Sequence, residues 1–99
     1  MQSLLFLVLF LFSSAEAKTI VVKIEATKFI PEQIEAQVGD TITWDNKDFF
    51  PHTATALDKS FDSHSILSGK TWSLQVKKTG TFKYKCLFHT VMSGTLKVH

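Results

Sequence analysis

The chain has 99 residues, room for one domain and none for a large two-domain enzyme. A hydrophobic content of 44% excludes a wholly disordered chain. The one cysteine, Cys86, excludes an intramolecular disulfide framework, a four-cysteine zinc site and an iron–sulfur cluster.

Residues 4–12 (LLFLVLFLF) form an unbroken apolar run. Nine residues are too few to span a bilayer as a helix, which takes about 20. The run suits the hydrophobic region of a signal peptide, and Ala15-Glu16-Ala17 supplies a small-residue cleavage site. A signal peptide over residues 1–17 is therefore expected, with a domain over 18–99. A periplasmic or secreted location and no stable membrane insertion after cleavage follow. The rival readings are a short hydrophobic anchor or a strand of the domain.

All eleven basic residues are lysines, and the formal charge of the whole chain is +2. They are spread along the chain and include no arginine. A nucleic-acid site normally concentrates basic residues in a stripe, so no nucleic-acid partner is expected. The charge suits steering of an acidic protein.

After residue 17 the apolar period is two. Ile20, Val22 and Ile24 alternate with Thr19, Val21 and Lys23. Ile42 and Trp44 alternate with Thr41, Thr43 and Asp45. Further on, Trp72, Leu74 and Val76, then Phe82, Tyr84 and Cys86, then Leu96 and Val98 repeat the pattern. Each reads as a strand with one buried face. Turn signals stand at Phe29-Ile30-Pro31-Glu32, Gly39-Asp40, Asp45-Asn46-Lys47-Asp48, Ser68-Gly69-Lys70, Thr79-Gly80 and Ser93-Gly94. Seven to eight short strands at this spacing predict an all-β sandwich or barrel. Residues 57–67 (LDKSFDSHSIL) are irregular and read as a long loop or an edge. Trp44 and Trp72 read as core aromatics, whereas Phe49, Phe50 and Pro51 crowd a turn where they cannot all be buried.

The chemistry concentrates in Cys86-Leu87-Phe88-His89-Thr90-Val91-Met92. Cysteine, histidine and the one methionine remaining after the leader recur at i, i+3 and i+6. Alone, each has a plain role: a buried thiol, a surface imidazole, a core filler. Together they are soft and borderline ligands suited to copper, and two His, one Cys and a weak axial Met make a blue-copper site. One further histidine is needed, from His52, His64 or His99. His52 follows a strand and a turn. His64 sits in a polar loop, and His99 ends the chain.

The sequence resembles the cupredoxins, the small blue copper proteins, closest to the amicyanin and plastocyanin group. The resemblance runs through Phe29-Ile30-Pro31, Ile34, Val38-Gly39-Asp40-Thr41-Ile42-Thr43-Trp44-Asp45-Asn46-Lys47-Asp48 and Pro51-His52-Thr53. It resumes at Gly80-Thr81-Phe82-Lys83-Tyr84-Lys85-Cys86 and ends at Met92-Ser93-Gly94. The short C-x-x-H-x-x-M loop is similar to that of amicyanin. The resemblance implies a cupredoxin-like Greek-key sandwich in which His52, Cys86 and His89 are equatorial copper ligands and Met92 is axial. Thr53 stands where these proteins usually have Asn, whose side chain ties the ligand loops together, and Thr90 stands where the amicyanin loop usually has Pro.

The function so implied is one-electron transfer by one type 1 copper per chain, cycling between Cu(I) and Cu(II), in a monomer that is not an enzyme. The redox partner, a cytochrome, dehydrogenase or oxidase, is expected to dock near His89 on a patch of Phe50, Pro51, Thr90 and Val91, with Phe49 or Phe88 adding to it. Two other functions compete. One is a periplasmic copper-binding chaperone using the same ligands, and the other is a metal-free interaction domain.

Overall fold

The computed structural model describes residues 16–99, and among them there is no helix. The apolar run at residues 4–12, and with it most of the expected signal peptide, lies outside the described residues. Eight strands are formed: β1 (Thr19–Glu25), β2 (Lys28–Ile30), β3 (Gln33–Ala36), β4 (Thr41–Asn46), β5 (Thr55–Ala56), β6 (Thr71–Gln75), β7 (Gly80–Lys85) and β8 (Ser93–Val98). They make two four-stranded sheets, in the orders β2-β1-β4-β6 and β3-β8-β7-β5. The β1–β4 and β3–β8 pairs are parallel, and the others are antiparallel. Only the β1–β2 and β7–β8 links stay within one sheet, so the other five of the seven links cross between sheets.

The alternation seen in the sequence sets the packing. Val22, Ile24, Ile42 and Trp44 point inward from one sheet, and Ile34, Ala36, Tyr84, Leu96 and Val98 from the other. Trp44 is the centre of the core. Its ring stands 5.5 Å from Tyr84 at 86° and 5.4 Å from Trp72. The edge-to-face Trp44–Tyr84 pair adds about 0.5–1.5 kcal/mol to the area it buries. Trp72 packs against this core from β6, a sheet edge, and is only partly buried.

Some turn readings differ from expectation, whereas residues 57–67 form a loop as expected. Phe29 and Ile30 belong to β2 instead of a turn, which begins only at Pro31. A three-residue strand is too short to show a period. Gly94 lies inside β8, opposite Tyr84, instead of in a turn. A Cβ there would clash with the Tyr84 ring and hydroxyl, so the glycine serves close packing. Residues 57–67 are pinned to the segment that carries His52. Ala56 N–H donates to the Phe61 carbonyl (2.9 Å), Ser63 N–H to Ala54 (3.0 Å) and Ile66 N–H to His52 (2.7 Å). Phe61 and Ile66 are buried anchors of this flap.

Candidate metal centre

The site lies at the end of the sandwich where β4 and β7 finish and β8 begins. His52 comes from the β4–β5 connection, and Cys86 and His89 from the β7–β8 connection. One ligand atom from each of these three residues lies within 4.8 Å of the other two. Cys86 continues the inward face of β7 after Phe82 and Tyr84, and it is fully buried, as is His52. His52 Nδ1 stands 3.6 Å from Cys86 Sγ.

Each donor is aimed. His52 Nε2 is 2.9 Å from Asp48 Oδ2, so the proton sits on Nε2 and the Nδ1 lone pair faces the cluster. The Asp48 carboxylate also accepts the Ala26 and Thr27 N–H groups of the β1–β2 turn, and Asp48 N–H donates to Asn46 Oδ1. Burial pushes the Asp48 carboxyl up, but the Thr27 and Ala26 N–H groups and His52 together outweigh it and hold it below the usual aspartate range. Asn46 Nδ2 donates to the carbonyls of Phe50 and Ile66, fixing both approaches to His52. Thr53 N–H points at Cys86 Sγ, at 3.4 Å.

The β7–β8 connection is closed on itself. Met92 N–H donates to the His89 carbonyl (2.9 Å), and Cys86 N–H donates to the Met92 carbonyl (3.2 Å). Met92 is buried. His89 Nδ1 is buried without a hydrogen-bond partner, although the residue itself reaches the surface. A buried, unpaired imidazole nitrogen is costly unless something binds it. Set beside a buried thiol and a second oriented imidazole, it fits a soft or borderline metal ion, with copper favoured by the thiolate.

Of the four histidines, the structure brings together His52 and His89. His64 is exposed and lies near Asp62, and His99 pairs with Glu35 at the opposite end of β8. The residues named for the patch, including Pro51 and Thr90, are open to solvent. Phe49 is 94% exposed and Val91 87%, with Phe50, Phe88 and Leu87 also open to solvent. The supports of His52 were missed in the sequence. Asn46 and Asp48 read there as turn residues within the family-like stretch and were given no role at the site; the signal that could have separated them was an acid four residues before a candidate ligand histidine.

A His–Cys–His cluster, with Cys86 and His52 buried and His89 reaching the surface, at one end of a two-sheet sandwich defines a small copper-binding β-protein. The chain belongs to the cupredoxin-like domain family, whose sequence profile matches residues 2–98. It is 28% identical to amicyanin-alpha of Methylorubrum extorquens over 85% of this chain and 75% of that protein. It is 29% identical to amicyanin of Paracoccus denitrificans over 88% and 72%, respectively. Among solved structures, an oxidised amicyanin variant superposes with a TM-score of 0.77 at 28% identity, covering 82% of each chain. A copper-containing nitrite reductase from Thermus scotoductus also superposes, with a TM-score of 0.76 at 25% identity. That match covers 81% of this chain and 22% of the reductase.

Proposed function

We propose that the protein is an amicyanin-like blue copper electron carrier, with His52, Cys86 and His89 as equatorial ligands and Met92 as the axial one. The observation that carries this is the mutual approach of the three donor atoms, with His89 Nδ1 buried and unpaired. Copper bound there supplies a one-electron couple. The chain's own residues hold the donors still: Asp48 fixes the His52 ring, Thr53 N–H meets the cysteine sulfur, and two backbone bonds close the loop bearing His89 and Met92. Donors held in this way keep reorganisation small when the oxidation state changes.

Four protein donors leave no open position for substrate, which supports a carrier over an enzyme. The likeness to the reductase involves less than a quarter of that chain. Full burial of Cys86 and His52 also weighs against a chaperone, which must present its metal to an acceptor. The exit for the electron is the His89 edge, and a redox partner docks on Phe49, Phe50 and Val91 around it. A small apolar patch suits a brief encounter. The carrier works outside the cytoplasm after loss of residues 1–17, as a monomer.

Titration with Cu(II), followed by visible spectroscopy, tests the assignment. An intense blue band saturating at one equivalent, absent in Cys86→Ser, is expected. A colourless protein would overturn it.

A further inference from the structure

Thr53 follows one ligand and Leu87 follows another, and they meet. Leu87 N–H donates to Thr53 Oγ1 at 2.9 Å, tying the two ligand-bearing connections together. The Thr53 hydroxyl is buried and stands 2.9 Å from Thr55 Oγ1, which in turn stands 3.0 Å from Asp62 Oδ1. Thr55 has one hydroxyl proton and two oxygens within reach. An ionised carboxylate can only accept, and the His64 N–H bond holds the Asp62 carboxyl below the usual range, keeping it ionised. The Thr55 proton therefore goes to Asp62. Thr55 is also placed to donate to Thr53 Oγ1, but with its one proton committed to Asp62 that 2.9 Å contact is closed by the Thr53 proton instead, and a Thr53 lone pair is left for Leu87. Every bond in the chain then has one direction, and each polarises the next.

Thr53 holds Cys86 in two ways. Its N–H meets the sulfur, and its hydroxyl oxygen meets the amide that follows. A side-chain amide carries a fixed acceptor for this task. A hydroxyl rotates, so its orientation must be set from elsewhere.

We propose that Asp62 is a remote positioning residue of the copper site, acting through Thr55 and Thr53 to keep the Thr53 lone pair on Leu87 N–H. This rests on the copper reading above. Asp62 touches no ligand. Its segment is also held by bonds that do not use its side chain: Ser63 N–H to the Ala54 carbonyl, and Ala54 N–H to Ser63 Oγ. Asp62→Ala therefore loses the His64 N–H bond but keeps these two.

Three variants separate this relay from simple charge. Thr55→Val breaks the relay and keeps the Asp62 charge. Asp62→Asn keeps an acceptor oxygen and removes the charge. Asp62→Ala removes both. In the metal-free protein, Thr55→Val and Asp62→Ala should each speed Leu87 amide exchange about fivefold, the factor one ordinary hydrogen bond is worth, while Asp62→Asn stays near wild type. With copper, Thr55→Val and Asp62→Ala should displace the blue band. Thr55→Val should also lower the midpoint potential, because a less firmly held Thr53 N–H withdraws less charge from the sulfur. The proposal is overturned if Thr55→Val matches wild type in exchange and spectrum. It is equally overturned if the two Asp62 variants shift the potential alike while Thr55→Val does not. A wild-type protein without a blue band would sink the copper reading and the role with it, whereas the Leu87 exchange rates would still decide whether the relay exists.

Discussion

Asp48 joins His52 to the β1–β2 turn: Oδ2 lies 2.9 Å from His52 Nε2 and 3.0 Å from the Thr27 nitrogen, and Oδ1 lies 2.8 Å from the Ala26 nitrogen. Ala26 and Thr27 both have positive φ, 52° and 58°, which costs L-residues roughly 1–2 kcal/mol each. One carboxylate thus orients a ligand and steadies a strained turn. Asp48→Ala should weaken copper binding by about 10–100-fold, as outer-shell changes do. It should also destabilise the metal-free protein by about 1–3 kcal/mol through unpaired donors. Competition against a chelator of known affinity checks the first effect, and urea unfolding the second.

Asp40 makes the fold acid-sensitive. Its carboxylate accepts the N–H groups of Gln37 and Lys18, which hold it below its ordinary value of 3.8. A depressed folded value means that the stabilisation is present above pH 3.8 and is lost as pH falls through the folded value. Unfolding midpoints measured from pH 7 down to pH 2 should drop steeply below pH 4 in the wild type. Asp40→Asn should be less stable at pH 7 and show a shallower drop.

Gly94→Ala should cost about 1–3 kcal/mol, the usual penalty for overfilling a packed core. The added carbon would meet the ring of Tyr84, including ring carbons as well as the hydroxyl. Tyr84→Phe should therefore fail to restore the midpoint in the double variant. Recovery of wild-type stability there would show that the hydroxyl alone was in the way.

Val91 tests the docking surface without needing a second protein. It is 87% exposed, so Val91→Glu should leave stability within about 0.5 kcal/mol and the blue band unchanged. If the electron leaves by the proposed face, self-exchange between reduced and oxidised molecules brings that face against its own copy. Like charges would then oppose each other, and the exchange rate measured by NMR should fall at least about tenfold. An unchanged rate would place the electron's exit elsewhere.

The long strands and the cluster of candidate donors stood out because their signals are local. Trp44 and Tyr84 sit in two-residue alternations, and Cys86, His89 and Met92 fall within seven residues. What was hidden depends on distant contacts. β2 and β5 have three and two residues and exist only through pairing with β1 and β7. Gly94 looked like a turn because its reason for being glycine, the Tyr84 ring, is ten residues away. Asp48 looked like turn chemistry because the amides it binds belong to another connection.

The five inter-sheet crossings have a consequence for a broken chain. The turn at residues 57–60 is exposed and contains Lys59, a residue trypsin can cleave after. A cut there gives two pieces, and neither owns a whole sheet. The first carries β1, β2 and β4 of one sheet with β3 and β5 of the other, and the second carries β6 with β7 and β8. Each fragment must borrow strands from its mate, so the nicked protein should stay assembled under native conditions. His52 lies on the first fragment and Cys86 and His89 on the second, so blue colour would serve as a visible report that the halves have found each other.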